Sequence, residues 1–207
     1  MASSAQDVFI NCPFDDDYQP MFDAMLFAIS ACGFRPRCAL EVVDGSEVRI
    51  NKLFRMIGEC RFSIHDLSRV QLSEPAKLPR FNMPLELGIW LGAKHYGSRQ
   101  KNKVCLIVDA ELHRFQKFVS DISGQDPVAH NDSPDQLVAV IRNWLQTVQP
   151  DLPLPGGSVF ANFFQRFMLE RIELAKNALL VVEELTFLDR VRLIRVWLEV
   201  NTLEPGT

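Results

Sequence analysis

Short apolar runs alternate along the chain with longer stretches of helical periodicity. Val8-Phe9-Ile10 is a brief run that stops at Asn11, and Pro20 then opens a stretch from Met21 to Ala31 that is apolar almost all round, broken only by Asp23 and Ser30. Proline suits a first helical turn because its missing N–H has no intrahelical partner there, and Gly33 supplies the stop. Phe34 to Leu40 reads as a second strand. Ser46 to Gly58 reads as a helix with Val48, Leu53, Phe54 and Ile57 turned inward. Phe62 to Asp66 is a third strand, Asn82 to Tyr96 a third helix, and Val104 to Val108 the clearest strand of all. Ser133 to Val148 is a further helix, with Leu137, Val140, Ile141, Trp144 and Leu145 at 3–4 spacing. Strand–helix alternation with continuously apolar strands predicts a mostly parallel sheet covered on both faces, a doubly wound α/β fold.

Pro150, Pro153, Pro155, Gly156 and Gly157 then mark a linker. Beyond it the strand alternation stops. Phe160, Phe163, Phe164 and Phe167 form an aromatic helical stripe, and Thr186-Phe-Leu-Asp189 matches a capping box ahead of Val191, Ile194, Trp197 and Leu198. The predicted organisation is an α/β domain over residues 1–149 and a linker with a small helical extension over 150–207, which packs on the sheet domain, on a second copy or on a partner protein.

The balance of 22 Lys+Arg against 26 Asp+Glu, net −4, offers neither duplex nucleic acid nor an anionic membrane the positive charge it would reward. Five cysteines (12, 32, 38, 60 and 105) show no Cys-x-x-Cys and no zinc-finger spacing, so they read as reduced, mostly buried thiols. No apolar run approaches the ~18 residues that span a bilayer, and the first residues lack a basic segment followed by an apolar one. A cytoplasmic location is expected.

In open parallel sheets, ligands sit beyond the carboxyl ends of the strands. Asn11-Cys12-Pro13-Phe14-Asp15 follows the first strand, Asp66-Leu67-Ser68 the third and Asp109 the fourth, and the helix at Asn82 should begin on the same edge. Asn82 reads as an N-cap with Pro84 in the first turn, which puts Glu86 in or just past that turn, where the helix dipole favours the carboxylate. An ionised carboxylate there can act as a nucleophile or stabilise a developing cation; the plainer reading is a surface carboxylate that complements the dipole. Asp66 reads either as a sugar-hydroxyl or proton-transfer ligand or as a loop cap. The Asp15–Asp17 run reads as a solvated turn rather than a metal site, Arg49 as solvent-facing rather than phosphate-binding, and His65 as a core histidine. Lys94, Arg99, Lys101 and Lys103 read as a solvated loop cluster. Gly-x-Gly-x-x-Gly, P-loop, Gly-x-Ser-x-Gly and His-Glu-x-x-His motifs are all absent, which removes the usual dehydrogenase, NTPase, hydrolase and zinc-protease sites.

Three stretches in order, Phe9-Ile-Asn-Cys-Pro-Phe-Asp15, Ile64-His-Asp-Leu-Ser68 and Phe81-Asn-Met-Pro-Leu-Glu-Leu-Gly88, resemble bacterial nucleoside 2-deoxyribosyltransferase-like proteins, a group related to the TIR-domain NAD hydrolases. The resemblance covers roughly residues 7–147 and implies a flavodoxin-like or TIR-like sheet and cleavage at an N-glycosidic bond. It implies Glu86 and Asp66 as catalytic residues, with Asn11, Cys12, Pro13, Phe14, Asp15, Ser68 and Asn82 around the substrate, and neither cofactor nor metal. Asn11-Cys12-Pro13 departs from the small-residue-Gly-Pro of the transferases, which favours a glycosidase acting on NAD or a related nucleotide, in stress or antiviral defence, over transfer to a second base. The alternative is a non-catalytic sensor that binds a nucleotide signal and passes its state to the helical tail.

Overall fold

A computed structural model describes residues 6–41, 44–70, 72–73 and 78–201. It contains the strands β1 (Asp7–Asn11), β2 (Arg35–Arg37), β3 (Phe62–Asp66), β4 (Leu72–Ser73), β5 (Leu78–Pro79), β6 (Val104–Asp109) and β7 (Val128–Ala129). The α-helices are α1 (Gln19–Ala31), α2 (Arg49–Glu59), α3 (Asn82–Tyr96), α4 (Pro134–Val148), α5 (Gly157–Asn177) and α6 (Phe187–Val200). The fold is the predicted doubly wound α/β arrangement with C-terminal helices. Its five-stranded sheet runs β2-β1-β3-β6-β7, with parallel pairing from β1 through β7, and β4 and β5 form a separate antiparallel pair. Counting only the strands of the main sheet, this is the 2-1-3-4-5 order, whose direction reverses between β1 and β3.

The chain forms two compact units, Met1–Tyr18 with Arg37–Asp132, and Gln19–Pro36 with Ser133–Thr207. In the first, β1 and β3 are buried at every position. Phe9, Ala39, Leu53, Met56, Ile57, Cys60 and Trp90 make one core cluster, and Leu67, Met83, Leu87, Ile107 and Phe115 a second. The inward face of α2 differs from the sequence expectation. Leu53 and Ile57 are buried as expected, but Val48 and Phe54 are exposed and Lys52 and Met56 are buried in their stead, with Lys52 Nζ donating to the Ala39 carbonyl at 3.3 Å. A lysine that lays its stem along apolar surface and satisfies its ammonium at a carbonyl competes well for such a position. The second strand is also shorter than Phe34–Leu40, ending at Arg37, whose guanidinium is drawn into ion pairs with Asp7 at 2.8 Å and with Glu41.

The second unit joins α1, α4, α5 and α6. Met21 to Ile29 of α1 is buried throughout, as an all-round apolar helix must be. Phe27 packs against Phe164, Phe167 and Trp197 with ring centroids 5.5, 5.5 and 5.8 Å away. The aromatic stripe is therefore largely spent inside this unit: Phe160, Phe164 and Phe167 are buried, and the partly buried Phe163 meets Trp197 edge-on at 5.9 Å. Asp23, the one charge on the buried part of α1, accepts from Arg171 at 2.6 Å and from Arg190 at 2.8 Å, which ties α1 to α5 and α6. Helix ends follow local rules. Gly33 at φ 80° closes α1 with Gly33 N–H to Ser30 O and Phe34 N–H to Ile29 O, the paired bonds of a Schellman motif. Thr186 and Asp189 form the predicted capping box at α6.

Candidate functional site

The reversal between β1 and β3 puts Asn11 and Asp66 at neighbouring strand ends, and both belong to the first unit together with α3. Asn11 is buried, and its amide nitrogen donates twice, to the Met83 carbonyl at 2.8 Å and to His65 Nδ1 at 2.9 Å. His65 Nε2 lies 2.9 Å from Ser63 Oγ. Because Nδ1 accepts, Nε2 carries the proton and donates to Ser63. Burial and the Lys103 charge push His65 down to about 3, so the ring is neutral. It is the core histidine the sequence suggested, and one that orients a site residue.

Asp66 is fully buried, and its oxygens are committed. Oδ1 accepts from the Ser68 backbone N–H at 2.7 Å, and Oδ2 accepts from Tyr18 Oη and from His130 Nε2 at 3.1 Å. His130 Nδ1 in turn accepts from the Asp132 N–H at 3.1 Å, which leaves Nε2 as the donor. Asn131 and Asp132 both adopt the left-handed region, which their short polar side chains tolerate, and this turn brings that N–H round to the ring. Burial works against the Asp66 charge, but the bonds from His130, Ser68 and Tyr18 outweigh it and hold the carboxyl below its ordinary range. Ser68 Oγ is buried without a hydrogen-bond partner among the described residues.

Glu86 has a different setting. The residue before α3 is Phe81, which makes no side-chain cap, and Asn82 is already helical and exposed; the expected Asn82 N-cap is not formed. Glu86 therefore falls just past the first turn and is only 8 % exposed. No hydrogen bond or ion pair joins it to another described residue. Burial pushes its carboxyl up to about 7, with Arg49 pulling the other way. The helix dipole was expected to favour the carboxylate; desolvation wins because the dipole is worth about 1 kcal/mol and burial of an unpaired charge costs several.

Cys12 connects the two carboxyls. Its thiol is pushed well up by burial and by the charges of Cys38, Asp66 and Glu86, which places Cys12 within electrostatic reach of both acids. Pro13 is buried beside it, whereas Phe14 and Asp15 are exposed, and Asp15 pairs with Arg80 just ahead of α3. Asn11, Cys12, Asp66, Ser68 and Glu86 are thus all buried in the first unit, whereas Phe14, Asp15 and Asn82 are exposed. Arg49 faces solvent, as expected, while its charge reaches Glu86.

Two residues, Tyr18 and His130, carry no signal in the sequence pattern, and a third, Lys103, departs from its expected solvated place. Tyr18 and His130 meet at Asp66, and the strand-end rule applied to β7 points at His130, the first residue after it. Lys103 is buried rather than solvated: its Nζ donates to the carbonyls of Ile57 and Cys60, closing the end of α2, and lies 3.8 Å from the Trp90 ring centre. All five cysteines are free, four of them buried. Among the described residues no group of His, Cys, Asp and Glu is arranged to hold a metal ion, and no helix is long and apolar enough to cross a membrane. No protein-family model matches the chain, and no curated protein matches it significantly.

Proposed function

We propose that the chain is a nucleotide N-glycosidase that hydrolyses the glycosidic bond of NAD or a related nucleotide, with Glu86 as the reacting carboxylate. The observation that carries this reading is the setting of Glu86: buried, without a hydrogen-bond or ion-pair partner among the described residues, titrating near neutrality and beside the strand ends where such sheets bind ligands. A buried carboxyl in a purely structural role is ordinarily paired. One left unpaired weakens the fold and suits a site where function needs it.

In this reaction the bond from the anomeric carbon to the base nitrogen breaks, and its electron pair leaves with the base. The sugar becomes an oxocarbenium ion, which the Glu86 carboxylate stabilises. Water then adds to the anomeric carbon and gives up a proton to Glu86 or to solvent. Asp66 serves here as a positioning residue, because its oxygens already hold Ser68, Tyr18 and His130. Only one of the two expected catalytic acids is then free. A single carboxylate suits a pyridinium base, which departs neutral without protonation; a purine or pyrimidine leaving group gains much more from an acid. The commitment of Asp66 also supports a second reading, a site that binds the nucleotide as a signal without turning it over.

A chromatographic panel of NAD, NADP, nucleosides and deoxynucleosides separates the two. The glycosidase reading expects free nicotinamide from the dinucleotides, little base from the nucleosides, and a loss of about a hundredfold or more in Glu86→Gln. Saturable binding with no product from either protein would establish the sensor and sink the enzyme.

A further inference from the structure

The bonds around Asn11 have a direction. A carboxamide has one donor end and one acceptor end, and both protons of the Asn11 nitrogen are used, one on the Met83 carbonyl and one on His65 Nδ1. Turning the amide over would set its oxygen against two acceptors in a buried setting, at the full penalty of unmade bonds. The Met83 carbonyl, an acceptor only, fixes which end of the amide is the nitrogen; a flip would also set the amide oxygen against the His65 Nδ1 lone pair, with Nε2 donating to Ser63. Ser63 and His65 share one face of β3, as alternate residues of a strand do, and that face meets α3 through Trp90, whose ring centre lies 5.8 Å from the imidazole. Met83 lies in the first turn of α3, and Glu86 follows three residues on. Both are buried, so they share a helix face.

We propose that His65 is a positioning residue for Glu86: through its Nδ1 lone pair it locks the Asn11 carboxamide, which holds the Met83 carbonyl and thereby fixes the turn of α3 that presents the Glu86 carboxyl. The lock does not switch at working pH, because burial and Lys103 keep the imidazole neutral down to about 3. The effect of the lock on turnover rests on the glycosidase reading; the lock itself does not.

The test therefore reads α3 before it reads activity. Amide hydrogen exchange over residues 82–87 and the carbon-13 titration of the Glu86 carboxyl are compared in the full-length wild-type, His65→Leu, His65→Gln and Ser63→Ala proteins. The groups around Glu86 whose charge bears on that titration are Arg49 of α2, Cys12 after β1 and Cys38 after β2, and all are unchanged in these variants. His65→Leu is expected to exchange about tenfold faster in the first turn of α3, with β6 amides unaffected, and to shift the Glu86 midpoint. His65→Gln, which restores an acceptor, is expected to return both to within about twofold of wild type. Ser63→Ala, which leaves the buried Nε2 proton without its acceptor and so weakens the tautomer that accepts at Nδ1, should give a smaller loosening confined to the same turn. A folded His65→Leu protein with wild-type exchange and midpoint overturns the proposal. If that protein does not fold, unchanged exchange in Ser63→Ala overturns it instead. Where nicotinamide release is measurable, kcat falls with the loosening while KM holds; altered exchange without turnover in wild type would refute the glycosidase reading and leave the lock standing.

Discussion

Asp23 is the sharpest stability test in the molecule. The residue is 3 % exposed and accepts from two guanidinium groups, Arg171 Nη1 on Oδ2 at 2.6 Å and Arg190 Nη1 on Oδ1 at 2.8 Å. Asp23→Ala removes both acceptors and leaves two arginines facing a hole. Each charge-assisted bond contributes about 1.5–3 kcal/mol, and breaking a buried pair from one side costs about 3–5 kcal/mol. Arg190 is the more deeply buried partner, with 9 % of its side chain exposed against 15 % for Arg171, so it holds the larger share. The expected loss in urea unfolding is about 3–5 kcal/mol for Asp23→Ala, a fall in Tm of roughly 6–20 °C for a chain of this length. In a double-mutant cycle with Arg190→Ala the two losses should fall short of additive by about 1–3 kcal/mol. Replacing the whole cluster by apolar residues (Asp23→Leu, Arg171→Met, Arg190→Met) should recover most of the loss, because the desolvation cost disappears with the charges. An Asp23→Ala protein within about 0.5 kcal/mol of wild type, or strict additivity with Arg190→Ala, would refute this account of how α5 and α6 are held to α1.

Three further outcomes follow from the same reasoning. Glu86 titrates near 7 in the folded chain against 4.5 unfolded, so its stabilising contribution is complete below the lower value and lost above the higher one; Glu86→Gln should therefore be more stable than wild type by about 1–3 kcal/mol at pH 8, and an equal or lower stability there would contradict its burial as a charge. Burial raises Cys32, Cys38 and Cys60 to about 12, so each thiol's contribution is present below about 9 and fades as pH rises toward 12, at roughly 1 kcal/mol per pH unit. Lys103, lowered to about 8, acts in the opposite direction between 8 and 10.5; three thiols outweigh one amine, and thermal melts above pH 9 should show Tm falling with a slope that Cys60→Ala makes shallower. Leu179, 94 % exposed at φ 58°, occupies the left-handed position that closes α5, with Leu179 N–H bonded to Lys176 O and Leu180 N–H to Ala175 O. Leu179→Gly should stabilise by about 0.5–1 kcal/mol in a denaturant melt, and a loss of stability would show that the position carries no strain.

Much of the fold is legible in the sequence because local signals and the tertiary outcome agree. Continuous apolar runs give β1 and β6, the all-round apolar stretch gives α1, and Gly33 and the Thr186–Asp189 box mark helix ends where the structure has them. The strand-end rule likewise finds Asn11, Asp66 and the start of α3. The misreadings arise where a residue's role is set by neighbours distant in sequence. Lys103 sits in a basic, loop-like stretch, yet the open carbonyls at the end of α2 and the face of Trp90 make a buried place for its ammonium. Lys52 takes the inward position that periodicity assigns to Phe54. Tyr18 and His130 lie 48 and 64 residues from the carboxylate they share, a separation that no local pattern spans. The charge state of Glu86 is the clearest case: its place in the helix predicts a stabilised carboxylate, and only the packing around it shows that burial decides the outcome.

The central claim is that an ionised Glu86 drives cleavage of a nucleotide glycosidic bond. It is tested most directly by the rate of nicotinamide release from NAD, measured from about pH 5 to about pH 9 for wild type and Glu86→Gln. The account predicts a wild-type rate that rises with pH through a midpoint near 7, and a low, flat rate for the variant. A wild-type rate that falls over that range, or a variant that releases nicotinamide as fast as wild type, would contradict it.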